Sequence, residues 1–288
     1  MNKNRVYSYI FMVFVIVFIL VFVLIQKDFF LANEKTIDNK DSNDEQTVQL
    51  QEELKTDCKY VSILGDSLST YEGVSNSGTP NISTTGYNAW YNGAWSGVLK
   101  DWTETYWGQI ISKYEMQLLV NNSCGGNRLT EAGGGGTRVF VDAGYNRAYQ
   151  LAANTGNLSG TTPDIIFFHM GTNDYIGGVS IDLFKTAYIR TLDTMLNQYP
   201  DVEIYCFTLT PSDYDTDWDL LNTYNSTIRE VVAGYNADDV VLVDVATESQ
   251  ITTENYFDFT YDGTHYNDLG IAEVVKVLDA VFSARYQD

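Results

Sequence analysis

The chain has few bases, few histidines and few cysteines, and each shortage closes off some chemistry. Its 17 lysines and arginines stand against 38 acids, a formal net charge of -21 over 288 residues. A surface of that sign repels phosphate backbones, which argues against nucleic acid as a partner and suits a soluble protein in a salty exterior. Three cysteines, Cys58, Cys124 and Cys206, lie far apart without a Cys-x-x-Cys spacing, so neither a metal site nor a cofactor is expected. An exported chain could form one disulfide among them, and the sequence leaves the pairing open. Only His169 and His265 are available for imidazole chemistry near neutral pH. Two common signatures are missing as well. In Gly-Ala-Trp-Ser-Gly, Gly93 to Gly97, the serine comes one place too late for a Gly-x-Ser-x-Gly elbow. The run Gly133–Gly136 lacks the following Lys-Ser/Thr of a phosphate loop.

What is present begins with an apolar run. Tyr7 to Ile25 holds 19 residues without a charge, preceded by Lys3 and Arg5. At ~1.5 Å per residue such a helix spans about 28 Å, close to the hydrocarbon thickness of a bilayer. The run exits through Gln-Lys-Asp-Phe-Phe-Leu-Ala-Asn without a small-x-small cleavage pattern. Residues 1–26 are therefore expected to be a membrane anchor with the remainder outside the cell, a cleaved signal peptide being the alternative. Residues 27–57 are polar and charge-rich, contain neither proline nor glycine, and read as an extracellular linker.

Residues 58–288 read as one enzyme-sized domain. Short apolar segments alternate with helical ones: Tyr60–Leu64, Gln117–Asn122, Asp164–Met170, Val202–Leu209 and Asp239–Val245 as strands. Between them, helical spacing appears around residues 105–116, Tyr145–Ala153, 180–200 with Ser180 as N-cap, 218–236 and 269–287. Apolar strands alternating with helices predict a mainly parallel five-stranded sheet covered on both faces, with ligands at the carboxyl ends of the strands.

That rule gathers a particular set of residues. Gly65, Asp66 and Ser67 follow the first strand, and Asn121 to Asn127 end the second. Gly171 to Asp174 follow the third, and Asp262 and His265 lie past the fifth. A serine hydroxyl needs a base to become a nucleophile, and histidine suits that role near pH 7. Asp262, three residues before His265, can reach back to hold the imidazole tautomer. Backbone N–H groups in a glycine turn, with an asparagine amide, can stabilise an oxyanion. His169, inside an apolar strand, reads as a hydrogen-bonded core residue, and Asp174 suits a turn.

With Gly-Asp-Ser-Leu at Ser67, a glycine in Asn-Asn-Ser-Cys-Gly-Gly-Asn, Asn173 in Gly-Thr-Asn-Asp and His265 in Asp-Gly-Thr-His, the chain resembles the SGNH/GDSL hydrolases from about Tyr60 onward. The resemblance implies a flavodoxin-like three-layer α/β/α fold and metal-free ester hydrolysis. It implies Ser67 as nucleophile, His265 as base and Asp262 as its orienting acid. The oxyanion hole would be the Ser67 N–H, the Gly126 N–H (Gly125 being the alternative) and the Asn173 amide.

Four of the five tryptophans fall between residues 90 and 107. Trp107 has helical core spacing. Trp90, Trp95 and Trp102 sit in a polar insertion after the serine turn and are candidate substrate contacts, packing of the loop being the other reading. The polar setting leans toward an acylated glycan, such as an O-acetylated one, hydrolysed at the cell surface. A lipase or thioesterase, an acyltransferase and a non-catalytic glycan-binding protein remain open, as does the oligomeric state.

Overall fold

The computed structural model describes residues 58–71, 73–74, 89–92, 99–130, 144–154 and 158–286. The expected anchor at 1–26, the linker at 27–57, Trp95 and the run Gly133–Gly136 lie outside the described residues. Five strands form a single parallel sheet: β1 (Tyr60–Gly65), β2 (Gln117–Ser123), β3 (Ile165–His169), β4 (Glu203–Phe207) and β5 (Val240–Val243). Their spatial order is β2-β1-β3-β4-β5, the doubly wound order of a flavodoxin-like sheet. Seven helices belong to the described residues: α1 (Tyr106–Lys113), α2 (Gly144–Arg147), α3 (Thr172–Ile176), α4 (Ile181–Gln198), α5 (Trp218–Val232), α6 (Val245–Glu248) and α7 (Asp268–Tyr286).

The period-two geometry of a strand sends alternate residues to opposite faces, and here both faces are apolar. Val61, Ile63, Ile165, Phe167, Tyr205 and Phe207 pack with Trp107, Ile110 and Ile111 of α1 and Val274, Leu278 and Phe282 of α7. Leu64, Ile166, Phe168, Ile204 and Cys206 pack with α4 and α5 on the other side. Phe184, Tyr188, Leu192 and Met195 line the buried stripe of α4 and are all fully buried, as their spacing requires. Burying such a side chain contributes about 1.5–3 kcal/mol each, so the two clusters clamp the sheet from both sides. Two helices start on side-chain caps: Thr105 accepts from the Gly108 N–H at 3.0 Å, and Asp217 from the Leu220 N–H at 3.0 Å. Ser180 occupies the N-cap of α4 without a capping hydrogen bond from its side chain.

One expected helix is cut short. The segment Tyr145–Ala153 is helical only over Gly144–Arg147. The carbonyls of Arg147 and Gln150 accept instead from the Asn122 side-chain amide of β2, both at 3.2 Å, and the chain turns away. Among the described residues no disulfide joins Cys58, Cys124 and Cys206, and no helix is long and apolar enough to cross a membrane. No cluster of three potential metal ligands occurs among them either.

Candidate active site

The strand order reverses between β1 and β3, which leaves a crevice at their carboxyl ends. Ser67 opens a single 3-10 turn, Ser67–Ser69, directly after β1. Asp66 caps that turn, its Oδ1 accepting from the Leu68 N–H at 3.0 Å. From the other side the Thr70 hydroxyl donates to the Ser67 carbonyl at 2.8 Å. The Ser69 carbonyl accepts from Trp107 Nε1 and from Asn121 Nδ2, each at 3.0 Å. Gly65 is required for this tight exit, since a Cβ there would meet Ser69 Cβ at 2.6 Å and Ser123 Oγ at 2.8 Å. The nucleophile turn is thus tied to β2, to α1 and to itself.

His265 comes to this turn from 198 residues away. Its Nε2 stands 2.8 Å from Ser67 Oγ, and its Nδ1 stands 2.9 Å from Asp262 Oδ2. Asp262 Oδ1 also accepts the His265 backbone N–H at 2.8 Å and the Thr264 N–H at 3.1 Å, which fixes both residues of one turn. Burial pushes the Asp262 carboxyl up, but the hydrogen bonds and charge of His265 and the Thr264 N–H outweigh it and hold the group below its ordinary value. An ionised Asp262 orients Nδ1–H toward itself and leaves Nε2 facing the serine as acceptor.

Asn173 lies in the first turn of α3, after β3. Its Nδ2 is buried and has no hydrogen-bond partner, an unusual state for a buried donor. Gly126 is half-buried with φ +70°, and the Asn127 N–H returns to the Cys124 carbonyl at 3.2 Å. A positive φ at the third residue is the type II turn arrangement, which favours glycine. Gly125, the alternative, is buried. The backbone N–H groups of Ser67 and Gly126 take no hydrogen bond among the described residues.

Beneath the site runs a buried polar layer that the sequence did not announce. Arg147 is fully buried and donates to the Gly65 carbonyl at 3.0 Å, to Asn127 Oδ1 at 2.7 Å and to the Asn122 carbonyl. It thereby joins the ends of β1 and β2 to the glycine turn. Asp174 accepts from the Leu129 N–H at 2.7 Å and from the Thr130 N–H at 3.0 Å and hydroxyl at 2.6 Å. It therefore holds the outgoing chain, as a turn residue would. Asp66 is fully buried; desolvation raises its carboxyl from 3.8 to about 7 against the pull of the Leu68 N–H, with Asp174 adding to the rise and Arg147 opposing it. His169 is a core residue as its strand predicts: its Nδ1 lies 3.2 Å from the Tyr106 hydroxyl, which meets Ser69 Oγ at 2.7 Å. Burial pushes the His169 imidazole down to about 3, so it stays neutral.

The tryptophans divide. Trp102 stacks on Trp107, ring centroids 5.5 Å apart, against the α1 side of the core. That is the packing alternative. Trp90 stacks on His265, centroids 3.5 Å apart and planes 9° from parallel. One face of its indole is therefore occupied by the imidazole.

Comparison with known proteins follows the same lines. The sequence model of the GDSL-like lipase/acylhydrolase family matches residues 63–272. A search among curated proteins gives no match. Among solved structures, a GDSL-like lipase from Bacteroides ovatus is 21% identical, with a TM-score of 0.57, covering 80% of this chain and 100% of its own. One from Bacteroides uniformis is 22% identical, with a TM-score of 0.58, covering 80% of this chain and 98% of its own. A carbohydrate esterase family 2 enzyme with a carbohydrate-binding domain, from Corynascus thermopiles, is 17% identical with a TM-score of 0.55, covering 78% and 66%.

Proposed function

Since the chain belongs to the GDSL-like lipase/acylhydrolase family and is an ester-hydrolysing serine hydrolase, we propose that it removes short acyl groups, acetyl foremost, from a carbohydrate at the cell surface. Ser67 Oγ attacks the ester carbonyl while His265 Nε2 takes its proton, and Asp262 holds the resulting imidazolium. The negative charge on the carbonyl oxygen is met by the N–H groups of Ser67 and Gly126 and by Asn173 Nδ2. His265 returns the proton to the leaving alcohol. Water, deprotonated by the same imidazole, then releases the acid and restores the serine.

The observation that carries the mechanism is the continuous line from Asp262 through His265 to Ser67, at 2.9 Å and 2.8 Å. The glycan reading is supported by the polar character of the insertion after the nucleophile turn, where Trp95 is the candidate contact left, and by the likeness to the carbohydrate esterase from Corynascus thermopiles. The surface location rests on the uncharged run Tyr7–Ile25, which would anchor the chain through the polar stretch 27–57. Labelling with a serine-directed phosphonate and peptide mapping tests the mechanism. Modification at Ser67, lost in Ser67→Ala, is the expected result. Acetyl-xylan, acetylated peptidoglycan and long-chain nitrophenyl esters assayed side by side test the substrate. Turnover confined to the long chains would refute the glycan assignment, and acyl product on a non-water acceptor would identify a transferase.

A further inference from the structure

Trp90 has a place in the site that substrate stacking does not explain. Its indole lies flat on the His265 imidazole, 3.5 Å between centroids at 9°. Its Nε1–H is buried and has no hydrogen-bond partner, so what the ring offers is its face. The backbone that carries it is fastened at both ends of the reaction. The Trp90 N–H donates to Thr70 Oγ1 at 2.7 Å, and that same hydroxyl donates to the Ser67 carbonyl at 2.8 Å. One residue on, the Tyr91 hydroxyl donates at 3.1 Å to the carbonyl of Tyr266, the neighbour of His265. Tyr71 and Tyr91 form a parallel bridge between the two segments. One short stretch, Ala89–Asn92, thus locks to the nucleophile turn and to the base turn and lays an aromatic ring across the base.

The geometry points to Trp90 as a positioning residue that keeps His265 in line with Ser67 and favours its protonated form during acyl transfer. The electron-rich face of an indole attracts a cation more strongly than any other side-chain ring, and more so when water is excluded. The His265 side chain is only 8% exposed. In the reaction the ring becomes cationic as it takes the serine proton. A contact of this kind therefore strengthens on the way to the transition state, which is what raises kcat and leaves KM alone. This rests on the reading of Ser67 as nucleophile and His265 as base.

Trp90→Leu keeps an apolar cover and removes the π face; Trp90→Phe keeps a face. Among the described residues the titratable groups facing His265 include Asp262 on its own turn, Tyr91 beside Trp90, and Tyr261 and Tyr266 in the base turn. All remain in both variants. In the full-length chain, Trp90→Leu should lower kcat about ten-fold with KM unchanged, and move the acid limb of kcat/KM to lower pH by about half a unit. Trp90→Phe should stay within about three-fold of the parent, with its limb in place. A Leu variant with unaltered kcat and limb, or Leu and Phe variants equally impaired, overturns the proposal. Should Trp90→Leu fail to fold, the parent itself decides. With two histidines in the chain, the His265 Cε1 proton is assigned as the resonance lost in His265→Gln. It should be shifted upfield by the indole ring current, and an unshifted position refutes the stack. Phosphonate labelling reports separately on the hydrolase reading, so the failure of either is told from the failure of the other.

Discussion

Replacing Asp66 by asparagine should make the protein more stable above neutral pH, although it alters the residue beside the nucleophile. Asp66 is fully buried, and only its Oδ1 has a hydrogen bond of good geometry, to the Leu68 N–H. Oδ2 and the nearby Thr172 Oγ1 both lack one. Desolvation dominates and moves the carboxyl from 3.8 to about 7. The unfolded chain therefore ionises Asp66 near pH 4, while the folded chain holds the proton until about pH 7. Across that window folding takes up a proton, so stability falls as pH rises, by about 1.36 kcal/mol per pH unit and about 4 kcal/mol in all. Asparagine has no proton to give up. It keeps an oxygen for the Leu68 N–H and offers an amide to Thr172. Urea unfolding of parent and Asp66→Asn at pH 4 and pH 8 measures the difference, and comparison at matched pH removes the effects common to both highly acidic chains. The two should be nearly equal at pH 4 and about 4 kcal/mol apart at pH 8, a shift of more than about 1 M in the urea midpoint. A gap that does not change with pH, or a variant that is weaker at pH 8, would refute the reasoning.

Three further outcomes are expected. Asn173→Ala should lower kcat by about 10²–10³ with little change in folding stability, read by steady-state kinetics and thermal unfolding, because its buried Nδ2 has no structural partner to lose. His169→Phe should retain ester hydrolysis and reverse an acid sensitivity. His169 stays neutral down to about pH 3 while the unfolded chain protonates it near 6.5, so the parent loses about 2 kcal/mol between pH 6.5 and 5 that the variant keeps, measurable by unfolding at both values. Arg147→Met should cost about 3–5 kcal/mol in the same assay, since it leaves the Gly65 and Asn122 carbonyls and Asn127 Oδ1 without a buried cation.

Sheet and nucleophile were legible because strong local rules carried them. Apolar runs on a strand with two covered faces name the strands, and the carboxyl-end rule then gathers Ser67, Asn173 and His265 before any coordinates exist. Gly126 was reachable through its neighbours in the second block. The helix at Tyr145 was not, because its early end depends on Asn122 taking its carbonyls from another strand. Arg147 stayed invisible for the same reason: a lone arginine in a polar stretch has no local mark of burial. Trp102 and Trp90 carried the same sequence signal, aromatic residues in a polar insertion, yet one packs on Trp107 and the other on His265. Only tertiary contact separates them.

Nucleophile and base are 198 residues apart in the chain. A chain made from its N-terminus produces β1 and its serine early, but β3, which flanks β1, and the turn bearing His265 come much later. Contacts of such long sequence separation are costly to close and tend to form late in folding. No partly made or partly folded chain therefore carries a primed serine. Ester turnover is therefore a readout of completed folding, and a truncation within the last helix, Asp268–Tyr286, should silence it while leaving Ser67 in the chain.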